Sequence, residues 1–238
     1  RGSVADLYHD VGLSLLEVAQ SAGVGGATRH AHPIILDTFS LSGLRTRALL
    51  ATASRLPPEM DGVINPCLLA PPGSGIEVLI SPGRRQIVFR RPFGAADGRR
   101  QDSQVSVPYL ADGLHVIFTI MLAGRPARAL LDTGAAKDMA DAETISRLGG
   151  VAIHPPNEAD IGLVGFGGPV RIEGIAPGVP IRMAGIERSI DRLHLVDLNA
   201  AAFRLAVDLD AIIGIGTLAA FDLVINPGAG TVTFISPR

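Results

Sequence analysis

One cysteine, Cys67, stands in 238 residues. A lone cysteine closes no internal disulfide and builds no thiolate zinc site, so Cys67 reads as a small buried apolar residue. Tryptophan is missing and aromatics make up 4% of the chain, which argues against a stacking platform for sugars or bases. Lysine is nearly absent as well. Lys137 is the single one among 21 basic residues, a bias we read as compositional rather than functional. The formal net charge is −2, so no basic field points to nucleic acid. No apolar run approaches the roughly 18 residues of a membrane span. No signal peptide is visible at the start. The six histidines show no metal-ligand spacing beyond His30-x-His32, so no metal or other cofactor is expected.

What is present suits a soluble globular chain: 47% hydrophobic residues, in a length that holds one large domain or two lobes. Strand signals dominate, as short β-branched or aliphatic runs between glycines and prolines at 76–80, 86–89, 114–121, 179–183, 223–225 and 231–235. Helical patterns are few. DAETISRL at 141–148 opens on a good cap with a Glu close behind, and 7–19 and 200–207 are weaker. Residues 91–108 are polar and rich in Arg, Gly and Asp, which predicts a linker over 92–112 between lobes at 1–91 and 113–238.

The two sides of that linker repeat each other in one order. GSVADL at 2–7 resembles GAAKDM at 134–139, and GVGG at 23–26 resembles GFGG at 165–168. IILDTFSLSGL at 34–44 resembles PIRMAGI at 180–186 around Gly43 and Gly185, and DGVIN at 61–65 resembles DAIIG at 210–214. Closing hairpins follow, IEVLISPGRRQIVF at 76–89 and FDLVINPGAGTVTF at 221–234. The chain reads as two copies of one β-rich unit, the first lacking its opening strands.

The strongest local signal is ALLDTGA at 129–135. An apolar strand delivers Asp132 into a tight turn with Thr133 and Gly134, where Gly134 permits close approach of the chain. A carboxylate behind three apolar residues is costly unless it is hydrogen-bonded or shares charge with a partner. The tripeptide alone is a common turn, and its context sharpens it. LVGFGG at 163–168 suits the tip of a mobile β-hairpin, and no Lys-Ser/Thr follows to make it a phosphate loop. AIIG at 211–214, Leu218 and a final strand pair complete the series.

Taken in order, ALLDTGA, GFGG, IIG-x-x-x-L and a closing hairpin resemble the retropepsin-like aspartic peptidases, bacterial members included. The resemblance covers residues 110–238 well and 1–90 in degenerate form. It implies an all-β fold of acid-protease-like double-ψ β-barrel lobes, two copies related by a pseudo-twofold. It implies that Asp132, with Thr133 and Gly134, is the catalytic element. Gly165, Phe166, Gly167 and Gly168 would be the flap over the substrate, and residues 212–214 would pack beneath the active-site loop. The substrate would be a peptide or protein, the assembly an intrachain pseudo-dimer or a homodimer, and the compartment the periplasm or cell envelope. Ala136, Lys137 and Asp138 depart from the acidic pair of the viral members, which leaves the pocket chemistry open.

The implied mechanism needs two Asp residues across a lobe interface, sharing one proton. Asp37 follows Ile34, Ile35 and Leu36, but it lies after the first-copy flap and Phe39 replaces the required Gly. It is not the second carboxylate. The repeat puts that residue upstream of Arg1, and Asn65 stands where the second copy has Gly214. Two functions follow: an aspartic endopeptidase, or a peptidase-like module that binds peptides without cleaving them. An actin-like or sugar-kinase phosphate loop also carries D-x-G, but it needs a second such strand pair and an adenosine motif.

Overall fold

β-branched and aliphatic residues between turn formers become strands throughout. The structure is a computed structural model that describes residues 19–21, 29–41, 44–53, 65–92, 104–112, 115–160, 164–165, 168–198 and 207–236. Its strands are β1 (Ala19–Ser21), β2 (Arg29–Leu41), β3 (Leu44–Ala53), β4 (Glu77–Ser81), β5 (Gln86–Arg90), β6 (Gln104–Asp112), β7 (His115–Leu122) and β8 (Arg125–Leu131). They continue as β9 (Met139–Asp141), β10 (Val164–Gly165), β11 (Gly168–Pro169), β12 (Gly174–Met183), β13 (Ile186–Val196), β14 (Ala211–Ile213), β15 (Asp222–Asn226) and β16 (Thr231–Ile235). Short helices α1 (Pro66–Leu69), α2 (Ala142–Leu148) and α3 (Ile215–Leu218) interrupt them.

β7, β8, β14, β9, β13 and β12 follow one another by hydrogen bonding, and β12 pairs back onto β7, closing a six-stranded barrel. β14 runs parallel to β8, and β9 parallel to β13, within otherwise antiparallel neighbours. Period-2 alternation fills this barrel. Phe118, Ile120 and Leu122 of β7, Ala129 and Leu131 of β8, Ile181 and Met183 of β12 and Ile213 of β14 share one buried cluster. Their neighbours Ile117, Leu130 and Ile212 turn outward into a second cluster with Met139, Val196, Leu198 and Leu209. Each such side chain is worth about 1.5–3 kcal/mol when fully buried. As the sequence predicts, α2 begins on Asp141, whose carboxylate accepts from the Thr144 amide at 2.9 Å.

The expected repeat can be followed through the described elements. β2–β3 closes on Leu41 opposite Leu44, and β12–β13 on Met183 opposite Ile186, so each long hairpin has a two-residue connection. In the second, Ala184 and Gly185 have φ of 49° and 76°, the left-handed pair that a twisted hairpin favours. α1 starts on Asn65 and α3 on Gly214. The closing hairpins β4–β5 and β15–β16 then lie edge to edge. Aligning residues 76–89 with 221–234 equates Leu79 with Val224, and these two are cross-strand partners, flanked by Val78–Ile225 and Ile80–Leu223. A residue that pairs with its own repeat equivalent marks a local two-fold axis.

Some expectations change. Residues 104–112, assigned to the linker, form β6, which pairs with both β16 and β7. Polar residues interleaved with Val105, Val107 and Tyr109 hid its alternation, and Pro108 stands on an exposed position. Of the helix expected at 7–19, Ala19 begins a strand, and the other residues lie outside the described ones. So do 200–206 of the helix expected at 200–207, the repeat matches at 2–7 and 23–26, and residues 61–64.

Candidate active site

β8 ends at Leu131 and the chain turns at Asp132. The Asp132 amide donates to the Ile213 carbonyl at 3.0 Å, which continues the parallel pairing of β8 with β14 by one residue. The Ala135 amide donates to the Asp132 carbonyl at 3.2 Å, and the Gly134 amide to Asp132 Oδ1 at 2.8 Å. The half-buried carboxylate is thus aimed by its own turn. A Cβ on Gly134 would stand 3.2 Å from Asp132 Oδ1, tight enough to disturb that contact.

Gly214, at the end of β14, supports this turn from below. A Cβ there would lie 2.6 Å from both the Ala135 and the Lys137 carbonyl oxygens, so a side chain and the present loop cannot coexist. The Ile215 amide donates to the Ala135 carbonyl at 2.8 Å. The expected packing of residues 212–214 beneath the D-T-G loop is therefore present.

Asp138 fastens the same loop from its far end. Its buried carboxylate accepts from the Gly214 amide at 2.8 Å and from Thr217 Oγ1 at 2.7 Å. Burial pushes its pKa above the ordinary range, while Thr217, Gly214 and His194 pull it back down. The His194 amide donates to the Asp138 carbonyl at 3.1 Å, and His194 Nε2 lies 3.4 Å from Asp160 Oδ1. Asp160 also accepts from the Asn157 amide at 2.9 Å and from Arg192. The Asn157 amide first, then Arg192 and His194, outweigh burial and hold the Asp160 carboxyl below its usual range. The buried His194 Nδ1 has no hydrogen-bond partner among the described residues.

Asp160 closes a 3₁₀ turn four residues before β10. β10 and β11 form a two-stranded hairpin with Gly165 opposite Gly168, as expected for those two residues. Phe166 and Gly167, between them, lie outside the described residues. Val170 and Ile172, just after the hairpin, pack on the cluster that also receives Ala135 of the D-T-G loop.

The D-T-G turn and residues 212–214 thus come together as the sequence predicts. Asp37 sits inside β2 rather than at a strand-ending turn. Asp138, Thr217, Asp160, Arg192 and His194 escape the sequence reading. Asp160 stands in a polar stretch of sequence, yet it is buried at 5% exposure, and Arg192 and His194 on β13 reach it from more than 30 residues away. No spacing signal announces such a contact.

No family model matches the chain, and no curated protein matches it. Solved structures do. An aspartic proteinase from Irpex lacteus aligns over 96% of this chain and 84% of its own, at 11% identity and a TM-score of 0.54. Basic 7S globulin from soybean aligns over 94% of this chain and 77% of its own, at 10% identity and a TM-score of 0.49. A retropepsin-like aspartic protease from Rickettsia conorii covers 55% of this chain and 89% of its own, at 15% identity and a TM-score of 0.37. With the closed barrel and the full-length alignment to the Irpex enzyme, the chain has the all-β fold of the aspartic proteinases.

Proposed function

We propose that this protein is an aspartic endopeptidase in which Asp132 is one carboxylate of a catalytic pair. The observation that carries the reading is the seating of the D-T-G turn: Asp132 Oδ1 held by the Gly134 amide, on a loop that fits only over a glycine at 214. Two carboxylates brought close cannot both ionise cheaply, so they share a proton. The ionised member takes a proton from a water molecule, whose oxygen attacks the scissile carbonyl carbon. The protonated member donates to the carbonyl oxygen, and the leaving nitrogen is then protonated as the C–N bond breaks. The peptide would lie extended, as an added strand beneath the β10–β11 hairpin.

A second reading, a peptide-binding module that does not cleave, is favoured by Asn65. It holds the place of Gly214 in the first repeat, where a loop seated as in the second would meet its Cβ. Asp132→Asn separates the two readings in a peptide-library digestion. The substitution is nearly isosteric but removes the base and the shared proton, so cleavage should fall at least ~10³-fold with folding unchanged. Undiminished cleavage assigns the chemistry elsewhere. No cleavage by the unmodified protein, with retained peptide affinity, selects the binding module.

A further inference from the structure

The loop from Asp132 to Asp138 is fastened at both ends to neighbouring residues. At its start the Asp132 amide donates to the Ile213 carbonyl at 3.0 Å, and at its end Asp138 Oδ1 accepts from the Gly214 amide at 2.8 Å. In between, the Ala135 amide turns back onto the Asp132 carbonyl at 3.2 Å, and the Ala135 and Lys137 carbonyls close over Gly214. The chain therefore doubles back rather than running away from Asp132. Consecutive Cα atoms are about 3.8 Å apart and paired strands about 4.8 Å, so the Lys137 backbone stands on the order of 10 Å from that of Asp132.

The side chains of this loop sort by environment. Ala135 packs on the cluster that also receives Val170 and Ile172, and the Asp138 carboxylate is buried against Gly214 and Thr217. Gly134, Ala136 and Lys137 are exposed. Lys137 is thus the one cation that the loop presents to solvent, and it has no ion pair among the described residues. Its backbone is fixed over Gly214, while its ammonium is a compact point charge on a flexible four-carbon stem. An Asp pair sharing one proton carries a net negative charge and by itself repels an acidic peptide. Lys137 reverses that sign a short way along the loop.

We propose that Lys137 is a specificity-determining residue that selects peptides carrying Asp or Glu two or three residues from the bond placed at Asp132. The inference rests on the reading of Asp132 as the site where the peptide backbone lies. An extended peptide advances about 3.3 Å per residue, so two or three residues match the separation of Lys137 from Asp132. A carboxylate there gains the ammonium as a partner, and a Lys or Arg there meets a like charge, so the same residue attracts one class of peptide and rejects the other. The neutral Ala136 beside it adds no competing charge.

The test is a peptide library in which each of the three positions on either side of the cleaved bond carries Glu, Gln or Lys. It is digested by the full chain and by its Lys137→Glu and Lys137→Met variants. At one position, two or three residues from the bond, kcat/KM should favour Glu over Lys at least tenfold, with Gln between. Lys137→Glu should invert that order at the same position and nowhere else, and Lys137→Met should flatten it. The preference should shrink in 1 M salt, where the screening length is about 3 Å. The side chain of Lys137 is exposed, so both variants should keep the melting curve of the unmodified protein by circular dichroism. No acidic preference, or the same preference in Lys137→Glu, overturns the proposal. A chain that cleaves no member of the library instead overturns the peptidase reading, and the same library is then read by retention on the immobilised full chain. Retention of acidic peptides that Lys137→Glu converts to retention of basic ones sustains the role of Lys137. Retention indifferent to the substitution, or none, overturns it.

Discussion

Asn65 and Gly214 begin equivalent four-residue helices, and the difference between them separates the two repeats. Asn65 caps α1 through its side chain, which accepts from the Cys67 amide at 2.9 Å. Gly214 has no side chain to offer α3, and it is the D-T-G loop that takes up the space, with two carbonyl oxygens where a Cβ would be. The first repeat thus has the local solution for a helix start. The second gives up that cap so that Asp132 can sit on the end of β14. The hairpins on either side are alike in both. The D-T-G element is therefore a small graft on a duplicated scaffold.

The harshest way to break this comparison is to give the second repeat the residue of the first. Gly214→Asn would drive a Cβ into the Ala135 and Lys137 carbonyls, neither of which can move without unseating Asp132. We expect a loss of about 3 kcal/mol or more, read as a drop in Tm of roughly 10 °C. Any Asp132-dependent cleavage should disappear in the fraction that still folds. A variant with unchanged Tm would mean that the loop does not press on position 214.

Asp138 offers a milder perturbation of the same seat. Asp138→Ala strands the Gly214 amide and the Thr217 hydroxyl, at a cost of about 2 kcal/mol. Asp138→Asn keeps an acceptor for Gly214 and should cost less than half of that. Its pH dependence carries the sign. The folded-state pKa of Asp138 is raised, chiefly by burial, so its contribution is fully present below the unfolded value of about 3.9 and is lost as pH rises through the folded value. The stability of Asp138→Asn relative to the unmodified protein should therefore increase from pH 4 to pH 7 in denaturant melts. A flat or declining difference would show that the carboxylate is not penalised by its surroundings.

What the sequence disclosed follows from how local each signal is. The hairpin strings at 76–89 and 221–234 carry their strands, turn and repeat relationship in 14 consecutive letters, and the pairing of Leu79 with Val224 is written in their alignment. The D-T-G turn and the IIG run are equally local, and their order along the chain joins them. Asp138 with Thr217, and Asp160 with His194, are different. Their contacts exist because β14 is laid beside β8 and β13 beside β9, both by long crossovers that no short-range pattern encodes. β6 was lost for another reason. Its flanks are polar, and its apolar face is completed by β16 rather than by its own residues.

The smallest effect is expected from the reciprocal exchange, Asn65→Gly. If Asn65 serves its own helix and supports no loop, removing its side chain costs a cap and opens no productive space. Glycine is tolerated at a helix N-cap, so the change should be at most about 1 kcal/mol, measured as a small decrease in denaturant midpoint. The sign is the informative part. A first repeat that forced a D-T-G-like loop over position 65, in the manner of Ala135 and Lys137 over Gly214, would hold that side chain against backbone carbonyls. Glycine would then relieve the conflict and stabilise the protein. A rise in the midpoint for Asn65→Gly, beside a large fall for Gly214→Asn, would return the first repeat to the class that seats a catalytic loop. A small fall leaves Asp132 dependent on a carboxylate that position 65 does not support.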